Sequence, residues 1–255
     1  ALQCPLGKAV FGLLIQVAAE QVDVEFRKWP IWAFLSRRST QDPLAKVAAH
    51  CRAVRHLLQA QKSTPHSRAA HEPKYSCCGG LQVFLDLERA FDCVNRTKLF
   101  SRLSQLNISP EIIQLLRNWH VDTYYHVTHG GESVAISVNT GLRQGCKGAP
   151  FLWNCLTILL LHELQGKVTA CWIREHLTAY ADDLHIGGTF QSCMELQTLI
   201  ESIGVLFSLL EEFDLKLNPQ KSVAILAMTG SMSRKTRAKH ILCDKRGELL
   251  RIPVD

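Results

Sequence analysis

The chain has 255 residues, of which 47% are hydrophobic, and its formal net charge is +6. This length and composition support a real core in one large domain or two small ones. No uninterrupted apolar run reaches the roughly 18 residues of a membrane span, so we expect no membrane association. The charge is uneven: +6 over residues 1–75, −4 over 76–228 and +4 over 229–255. Two basic flanks around an acidic middle suit a polyanion held beside a carboxylate cluster, with chance surface charge as the alternative.

Ten cysteines are scattered along the chain. None forms a CxxC pair, and the spacings of His and Cys do not match a zinc site. Several lie on apolar helical faces, as Cys51 and Cys155 do, and are interpreted as small core residues. We therefore expect a reduced, intracellular protein.

The first 80 residues are predicted to be mostly helical and basic. Residues 5–22 form an apolar helical pattern. Gln16 interrupts this pattern and no small-residue cleavage site follows it, so we do not expect a signal peptide. A second helix is expected after "STQDP", because this stretch supplies capping residues and a proline for the first turn. Its basic face is a candidate contact for a nucleic-acid backbone, although a solvated face is the commoner explanation. Residues 63–80 are polar and punctuated by Pro and Gly, which predicts a loop.

From residue 81 the chain alternates strands and helices. The predicted elements are a strand over 81–87, helices over about 96–106 and 110–119, a hairpin over 123–139, a loop over 141–150, a helix over about 150–165, a hairpin over 176–188, a helix over about 191–213 and a strand within 215–226. The tail after residue 228 is basic and irregular until a last strand in "ELLRIPV". This order predicts an α+β fold with a mostly antiparallel sheet.

Three carboxylates are predicted to lie at strand ends. Asp86 ends the strand "LQVFLDL", and Asp182 with Asp183 forms the turn of the hairpin "HLTAYADDLHIGG". Adjacent carboxylates repel each other and are costly to place near a core. Two Mg²⁺ ions about 4 Å apart require such clustered oxygen ligands, and they serve phosphoryl transfer. Taken alone, an Asp pair in a turn is weak support for catalysis, because Asp is a common turn residue.

Four short motifs follow one another in this part of the chain. They are "FLDLERAFDCVNR", "GLRQGCKGAPFLWN", "AYADDL" and "LKLNPQKS". In this order and spacing they resemble the motifs of reverse transcriptases, most closely those of LINE-type (non-LTR) retrotransposons. The stretch "KWPIWAFLSRRSTQDPLAKVAAHCRAVRHLL" also resembles the helical finger region that precedes the first motif in these enzymes.

The resemblance implies the palm of a right-hand polymerase, in which an antiparallel sheet packs on helices. Residues 1–80 would be a partial fingers region, residues 81–228 the palm with its motifs, and residues 229–255 a basic connector. A basic finger hairpin, a primer grip, a thumb and an endonuclease are expected outside this chain, covalently continuous with it in a longer parent protein. We therefore expect the chain alone to polymerise poorly or not at all.

The resemblance also assigns the carboxylates. Asp86 and Asp182 would be the principal ligands of two Mg²⁺ ions, for which Mn²⁺ is a possible substitute. Asp183 would be the third catalytic carboxylate, and Leu87 would offer its backbone carbonyl to a metal ion.

Residues around the incoming nucleotide are implied in the same way. Phe91 falls where the family places a bulky side chain beneath the sugar, where it would exclude a 2′-hydroxyl by steric clash. The alternative is a core aromatic. Gln144 and Gly145 match the loop that lies along the nucleotide and the template base, where a glycine permits close backbone approach.

Three further residues have both an implied role and an ordinary one. Arg143 would support the phosphates or a neighbouring carboxylate, with surface placement as the alternative. Lys221 would protonate pyrophosphate or steady the triphosphate, unless it is an ordinary turn lysine. Tyr180 would pack near the primer end, with packing inside the hairpin as the alternative.

Other motif residues are expected to be structural. Asp92 and Asn95 are expected to cap the helix that follows rather than bind metal. His185 should share a face of the strand with Asp183, but the site prefers oxygen ligands, so it is no expected ligand. Lys147 and Gly148 stand where the family has a Pro-Leu pair; the lysine could add a phosphate contact and the glycine could loosen the loop.

Taken together, the resemblance implies an RNA-directed DNA polymerase with an RNA template, a DNA primer and dNTPs as partners. The expected setting is a nuclear and/or cytoplasmic ribonucleoprotein. One alternative is an inactive retroelement remnant or a domesticated RNA-binding domain, against which the intact carboxylates argue. Another is a polymerase that copies DNA templates, which nothing in the sequence favours.

Overall fold

An antiparallel sheet of four strands lies at the centre of the molecule. The computed structural model describes residues 5–62, 74–121, 123–143, 145–244 and 247–253. The sheet consists of β1 (Cys78–Leu85), β4 (Leu177–Tyr180), β5 (Asp183–Phe190) and β6 (Val223–Thr229), in the order β4-β5-β1-β6. Two separate hairpins are formed by β2 (Tyr124–His129) with β3 (Glu132–Ser137) and by β7 (Ile241–Asp244) with β8 (Gly247–Leu250). The predicted α+β class with antiparallel pairing is confirmed.

Helices precede, connect and follow these strands. They are α1 (Pro5–Lys28), α2 (Gln41–Ala60), α3 (Ala90–Cys93), α4 (Arg96–Arg102) with a 3₁₀ turn at Leu103–Leu106, α5 (Pro110–His120), α6 (Gly148–Lys167), α7 (Ala170–His176), α8 (Cys193–Glu212) and α9 (Ser233–His240). On one side of the sheet, α2 packs on β1, β4 and β5. On the other side, α8 packs on β5 and on α6.

Strand β1 is one of the two inner strands of the sheet, and its two faces differ. Leu81, Val83 and Leu85 alternate along it and are at most 4% exposed, as a strand with a buried face requires. On the opposite face, a Cβ added to Gly80 would lie 2.1 Å from a methyl carbon of Val54 in α2. The glycine therefore lets α2 lie close against the sheet.

Helix α6 runs through the core and is buried on nearly all sides. Thirteen of its 20 residues are buried, so the helix is apolar all round rather than amphipathic. At its start, a Cβ on Gly148 would lie 2.6 Å from the ring of Phe11 in α1. Gly148 thus permits α1 to pack on α6, and the Lys147 side chain lies over Gly12 of α1. These contacts give both residues a packing role at the junction of the two helices.

Helix α8 has the length and apolar composition of a membrane span. Glu195 and Glu201 lie within it, so it meets this description by length and mean hydropathy and is no uninterrupted apolar run. Half of its most apolar window is buried against other elements, and Leu196, Ile200 and Ile203 are fully buried. This packing is typical of the core helix of a folded domain.

Most predicted elements are present, and the differences have local causes. The first strand begins at Cys78, earlier than the predicted residue 81, and part of the predicted loop, 63–73, lies outside the described residues. Helices α7 and α9 were not predicted, because α7 is short and α9 is strongly polar, with no apolar period to indicate it. Cys155 is buried as predicted, whereas Cys51 is exposed, so its assignment to the core is wrong.

Candidate active site

The three candidate carboxylates meet at one edge of the central sheet. In the pairing of β1 with β5, Leu85 lies opposite Leu184, so Asp86 follows at the position beside Asp183. Tyr180 pairs with Asp183 across the turn that contains Asp182. Residues paired across antiparallel strands have Cα atoms about 5 Å apart. We call Asp86, Asp182 and Asp183, which come from segments far apart in sequence, the carboxylate edge.

The electrostatics of Asp183 agree with this convergence. Burial raises the pKa of its carboxyl group, and the negative charges of Asp182 and Asp86 raise the pKa further. Each of these effects disfavours the ionised form. A cation bound between the carboxylates would act in the opposite direction, because it would stabilise the ionised form.

The backbone of Asp86 is held by the turn that precedes β6. The Asn218 N–H donates to the carbonyl of Asp86 at 2.8 Å, and the Asp86 N–H donates to Ser222 Oγ at 3.1 Å. The Lys221 ammonium lies 4.0 Å from Oδ2 of Asp86, with its side chain 71% exposed. Lys221 is thus within reach of the carboxylate edge, and Ser222 and Asn218 fix the peptide groups on both sides of Asp86.

Leu87 is oriented by the same contact between chain segments. It forms an isolated antiparallel bridge with Leu217. The hydrogen bonds of this bridge are made by its neighbours, from Asn218 N–H to Asp86 and from Glu88 N–H to the Lys216 carbonyl at 2.8 Å. In such a pair the N–H and C=O of the central residue point away from the partner segment. The Leu87 carbonyl therefore does not take part in this bridge.

The residue types at the carboxylate edge suit Mg²⁺, which prefers hard oxygen ligands. Within the part of the chain that is described, however, no three His, Cys, Asp or Glu side chains lie close enough together to hold a metal ion. Carboxylates in one place repel each other, and side-chain rotation is enough to spread their oxygens. The donor set therefore fits a divalent cation in chemistry and backbone position, while the side chains are not preassembled around one.

Phe91 lies near this edge with part of its ring accessible. The ring stacks on Trp153 with centroids 4.7 Å apart, and it meets Phe34 edge-on at 6.4 Å. It packs against the core without being fully buried. The position is compatible with both interpretations that the sequence left open, a steric contact to a sugar and a core aromatic.

The loop before α6 contains the remaining predicted nucleotide contacts. Gly145 has a φ of 74°, which favours glycine, and no atom lies within 4 Å of a Cβ placed on it. Its backbone is thus open to a ligand. Arg143 donates to Thr123 Oγ1 at 3.0 Å and is half-buried, so it ties the loop to the base of the β2–β3 hairpin. Gln144 lies outside the described residues.

Tyr180 and Asp183 line a cavity behind the turn. The cavity has a volume of about 420 Å³ and lies between the start of α2 and the sheet. His185 also lines it and is 5% exposed, with its Nε2 2.7 Å from Oε1 of Gln82. Burial, followed by the nearby cationic groups His50 and Lys46, lowers the pKa of His185 to about 4. His185 is therefore neutral at pH 7.

Three residues that hold the edge or its turn were not predicted. Asn218 and Ser222 form hydrogen bonds with the backbone of Asp86, and Trp153 donates its indole N–H to the carbonyl of Ala181, the residue before Asp182, at 2.9 Å. The indole N–H of a buried tryptophan usually finds a hydrogen-bond partner, but the identity of that partner depends on tertiary packing. Asn95 does cap α4 as expected, by accepting from the Lys98 N–H at 3.0 Å.

Comparison with protein families gives one match over most of the chain. The model described as "Reverse transcriptase (RNA-dependent DNA polymerase)" matches residues 31–242. The matched span contains α2, the central sheet and the whole carboxylate edge.

Solved telomerase structures have a similar fold. Telomerase of Candida tropicalis truncated from its C-terminal domain gives a TM-score of 0.59 at 14% identity, covering 96% of this chain and 44% of that one. The C. tropicalis enzyme with a TWJ fragment of telomeric RNA gives 0.56 at 14%, covering 84% and 33%. C. albicans telomerase with such a fragment gives 0.53 at 11%, covering 86% and 35%. This chain therefore spans less than half of each of these proteins, and the likeness concerns the fold.

Proposed function

The chain belongs to the reverse transcriptase (RNA-dependent DNA polymerase) family, and from this premise we propose that it is the fingers and palm part of a LINE-type retrotransposon polymerase. The reaction is the transfer of a deoxynucleotide from a dNTP to the 3′-hydroxyl of a primer, directed by an RNA template. The observation that carries the proposal is the convergence of Asp86, Asp182 and Asp183 at one sheet edge. The telomerases with a similar fold are described with an RNA fragment, which supports an RNA partner here.

In this proposal Asp86 and Asp182 hold two Mg²⁺ ions, assisted by Asp183 and the carbonyl of Leu87. When bound, such cations would lower the pKa of the primer hydroxyl and would neutralise charge on the triphosphate. The primer 3′-oxygen attacks the α-phosphorus of the dNTP, and its proton passes to solvent water. The bond from the α-phosphorus to the bridging oxygen breaks, and pyrophosphate leaves.

The other residues of the site bind and select the nucleotide. The accessible part of Phe91 lies beneath the sugar and excludes a 2′-hydroxyl by contact. The open backbone at Gly145, with Gln144 and Arg143 beside it, follows the nucleotide and its phosphates. Lys221, already within reach of Asp86, donates a proton from Nζ to the leaving pyrophosphate. Tyr180 packs near the primer end.

The proposal includes a division of the chain and a setting. Residues 1–80 belong to the fingers, 81–228 to the palm, and 229–255 to a connector whose helix α9 carries Arg234 and Lys235 exposed at the surface. Exposed cations of this kind suit a nucleic-acid backbone. A ribonucleoprotein in the nucleus and/or the cytoplasm is the proposed setting.

Metal binding tests the proposal independently of polymerisation. Mn²⁺ added to the purified chain is followed by electron paramagnetic resonance, which reports the free ion. We expect Asp86→Asn to weaken binding by about tenfold or more, because a direct ligand is lost. Glu88→Gln is the matched control, since Glu88 is an exposed acid two residues away.

Primer extension by the full-length protein then separates the possible activities. Extension on an RNA template with dNTPs supports the proposal. Extension only on DNA templates would replace it with a DNA-copying polymerase. RNA binding without Mn²⁺ binding or extension would favour a domesticated RNA-binding domain.

A further inference from the structure

The side chain of Trp153 contacts two parts of the candidate site at once. It projects from α6, is 3% exposed, and donates its indole N–H to the carbonyl of Ala181 at 2.9 Å. Its ring stacks on Phe91 with centroids 4.7 Å apart and planes 25° from parallel. One buried residue thus joins the turn of the carboxylate edge to the aromatic ring at the proposed sugar site.

The turn that Trp153 contacts has a strained backbone. Ala181 and Asp182 are the two central residues between the paired Tyr180 and Asp183. Ala181 has a φ of 53°, in the left-handed region, whereas Asp182 has a negative φ. A two-residue hairpin turn of this kind strongly prefers glycine at its first central position. An alanine stays in such a conformation only where its surroundings hold it.

The hydrogen bond acts on the peptide group that determines where Asp182 lies. The carbonyl of Ala181 and the N–H of Asp182 belong to one planar peptide unit. Because the indole N–H fixes the Ala181 carbonyl, it also fixes the orientation of the peptide plane that leads into Asp182. Without this bond, the strained turn can rotate its central peptide and carry the Asp182 carboxylate away from Asp86.

We propose that Trp153 is a positioning residue that holds the turn of the carboxylate edge in its metal-binding conformation. By stacking on Phe91, it also keeps that ring in a fixed position relative to the turn. The proposal rests on the proposed function, since it concerns the same carboxylates. Trp153 acts through Ala181 and Phe91, to which it is joined by the hydrogen bond and by ring stacking.

The chain provides a matched control for removal of the indole N–H. Trp119 also stacks on an aromatic ring, that of Phe11, with centroids 4.3 Å apart. Its Nε1 is buried and has no hydrogen-bond partner among the described residues. Trp153→Phe therefore removes a bonded N–H, whereas Trp119→Phe removes an unbonded one, with the same loss of ring size.

Two measurements on the purified chain compare these variants. Mn²⁺ binding is followed by electron paramagnetic resonance, and hydrogen exchange by mass spectrometry follows the amides of the hairpin 177–190. We expect Trp153→Phe to raise the Mn²⁺ dissociation constant about tenfold, the lower range for loss of a residue that orients metal ligands. In the same variant, the amides of the hairpin should exchange faster than in the wild type by a similar factor. Trp119→Phe should leave both quantities within about twofold of the wild type.

A second substitution tests the mechanism itself. Glycine adopts a φ of 53° without strain, so Ala181→Gly should make the turn independent of the indole N–H. In the Trp153→Phe background it should return Mn²⁺ affinity and hairpin protection to within about threefold of the wild type. General loss of packing around α6 would not be restored by a change in a surface turn.

The proposal is overturned if Trp153→Phe binds Mn²⁺ and protects the hairpin as Trp119→Phe does, or if Ala181→Gly restores neither. Should Trp153→Phe fail to fold, benzothienylalanine at position 153 keeps the shape of the fused rings and replaces the N–H by sulfur, and the same outcomes apply. If the wild type itself does not bind Mn²⁺, the metal site of the proposed function fails, while hairpin exchange still decides the role of Trp153.

Discussion

On the side of the sheet that α8 and α6 cover, the side chains are apolar and almost fully buried, whereas at the carboxylate edge they are charged and partly exposed. Leu152 of α6 and Ile200 of α8 are both 0% exposed. Asp183, at the other extreme, is only partly covered, and this partial burial and its neighbouring carboxylates raise the pKa of its carboxyl group. Burial of the apolar side chains stabilises the fold, whereas repulsion between the carboxylates of the edge destabilises it.

The carboxylates of the edge are held in position by residues outside it. The carboxylates make no contacts with one another that favour the fold, so their positions depend on neighbours that are themselves anchored. Ser222 and Asn218 hold Asp86 from the turn before β6, and Trp153 holds Ala181 from the core. Substitutions in the two regions should therefore separate function from stability.

The largest effect is expected from Asp182→Asn in the full-length protein. Loss of one metal ligand removes several kcal/mol of transition-state stabilisation, so primer extension on an RNA template should fall by about 10³-fold or more. The melting temperature should stay the same or rise, because a repulsive charge is removed. RNA binding, measured by fluorescence anisotropy, should be unchanged.

Two outcomes would contradict this separation of function from stability. Retained extension would remove Asp182 from the catalytic machinery. Loss of extension together with unfolding would show that the carboxylate edge contributes to stability, contrary to its like charges.

The converse substitution lies in the core. Leu152→Ala leaves a cavity in a fully buried position, so the free energy of unfolding should fall by about 3 kcal/mol in a urea titration. Mn²⁺ affinity of the molecules that remain folded should be unchanged within about twofold. The control is Leu6→Ala at a position that is 72% exposed, for which less than about 0.5 kcal/mol is expected.

The sequence is informative about the two regions to different degrees. The placement of Asp86 and the Asp182–Asp183 pair at strand ends follows from apolar strand patterns and a turn, and the structure has them there. The buried helices follow from long apolar runs. The polar helix α9 does not, because without an apolar face a helix has no periodic signal.

What holds the edge in place is beyond sequence patterns. The bond from Trp153 joins residues 28 positions apart, and the bond from Asp86 to Ser222 joins residues 136 apart. Both depend on how the elements pack. The positive φ of Ala181 runs against the local preference for glycine, so it arises only where tertiary contacts override that preference. Rules about single segments cannot predict such an override.

A smaller effect is expected from Ser222→Ala, which removes the acceptor of the Asp86 N–H. The variant should require about five to ten times more Mg²⁺ for half-maximal extension by the full-length protein, because a residue that orients a metal ligand is lost. Ser222→Thr keeps the hydroxyl and should stay close to the wild type. Ser101→Ala is the control, since that hydroxyl donates to the carbonyl of Lys98 in its own helix. An unchanged Mg²⁺ requirement in Ser222→Ala would limit the hydroxyl to a role in stability.

The smallest effect concerns the repulsion at the edge, and Asp183→Asn isolates it. Because the pKa of Asp183 is raised above its ordinary value of 3.8, the folded chain holds this proton more tightly than the unfolded chain does. The free energy of unfolding should therefore fall as the pH rises past about 3.8, and the uncharged variant should escape this loss. In urea titrations, the wild type and the variant should have equal free energies of unfolding at pH 3. At pH 7 the variant should be more stable by about 0.5 kcal/mol, a small difference because the carboxyl group is partly exposed.

Added Mg²⁺ should reverse that order, since it binds the folded wild type more tightly than the variant and stabilises it accordingly. Glu88→Gln, which changes an exposed charge off the edge, should show neither the pH-dependent advantage nor the reversal. A variant that is less stable than the wild type at pH 7 without metal would mean that hydrogen bonds of the Asp183 carboxylate outweigh its repulsion. The contrast between a stabilising core and a costly edge would then hold for Asp86 and Asp182 alone.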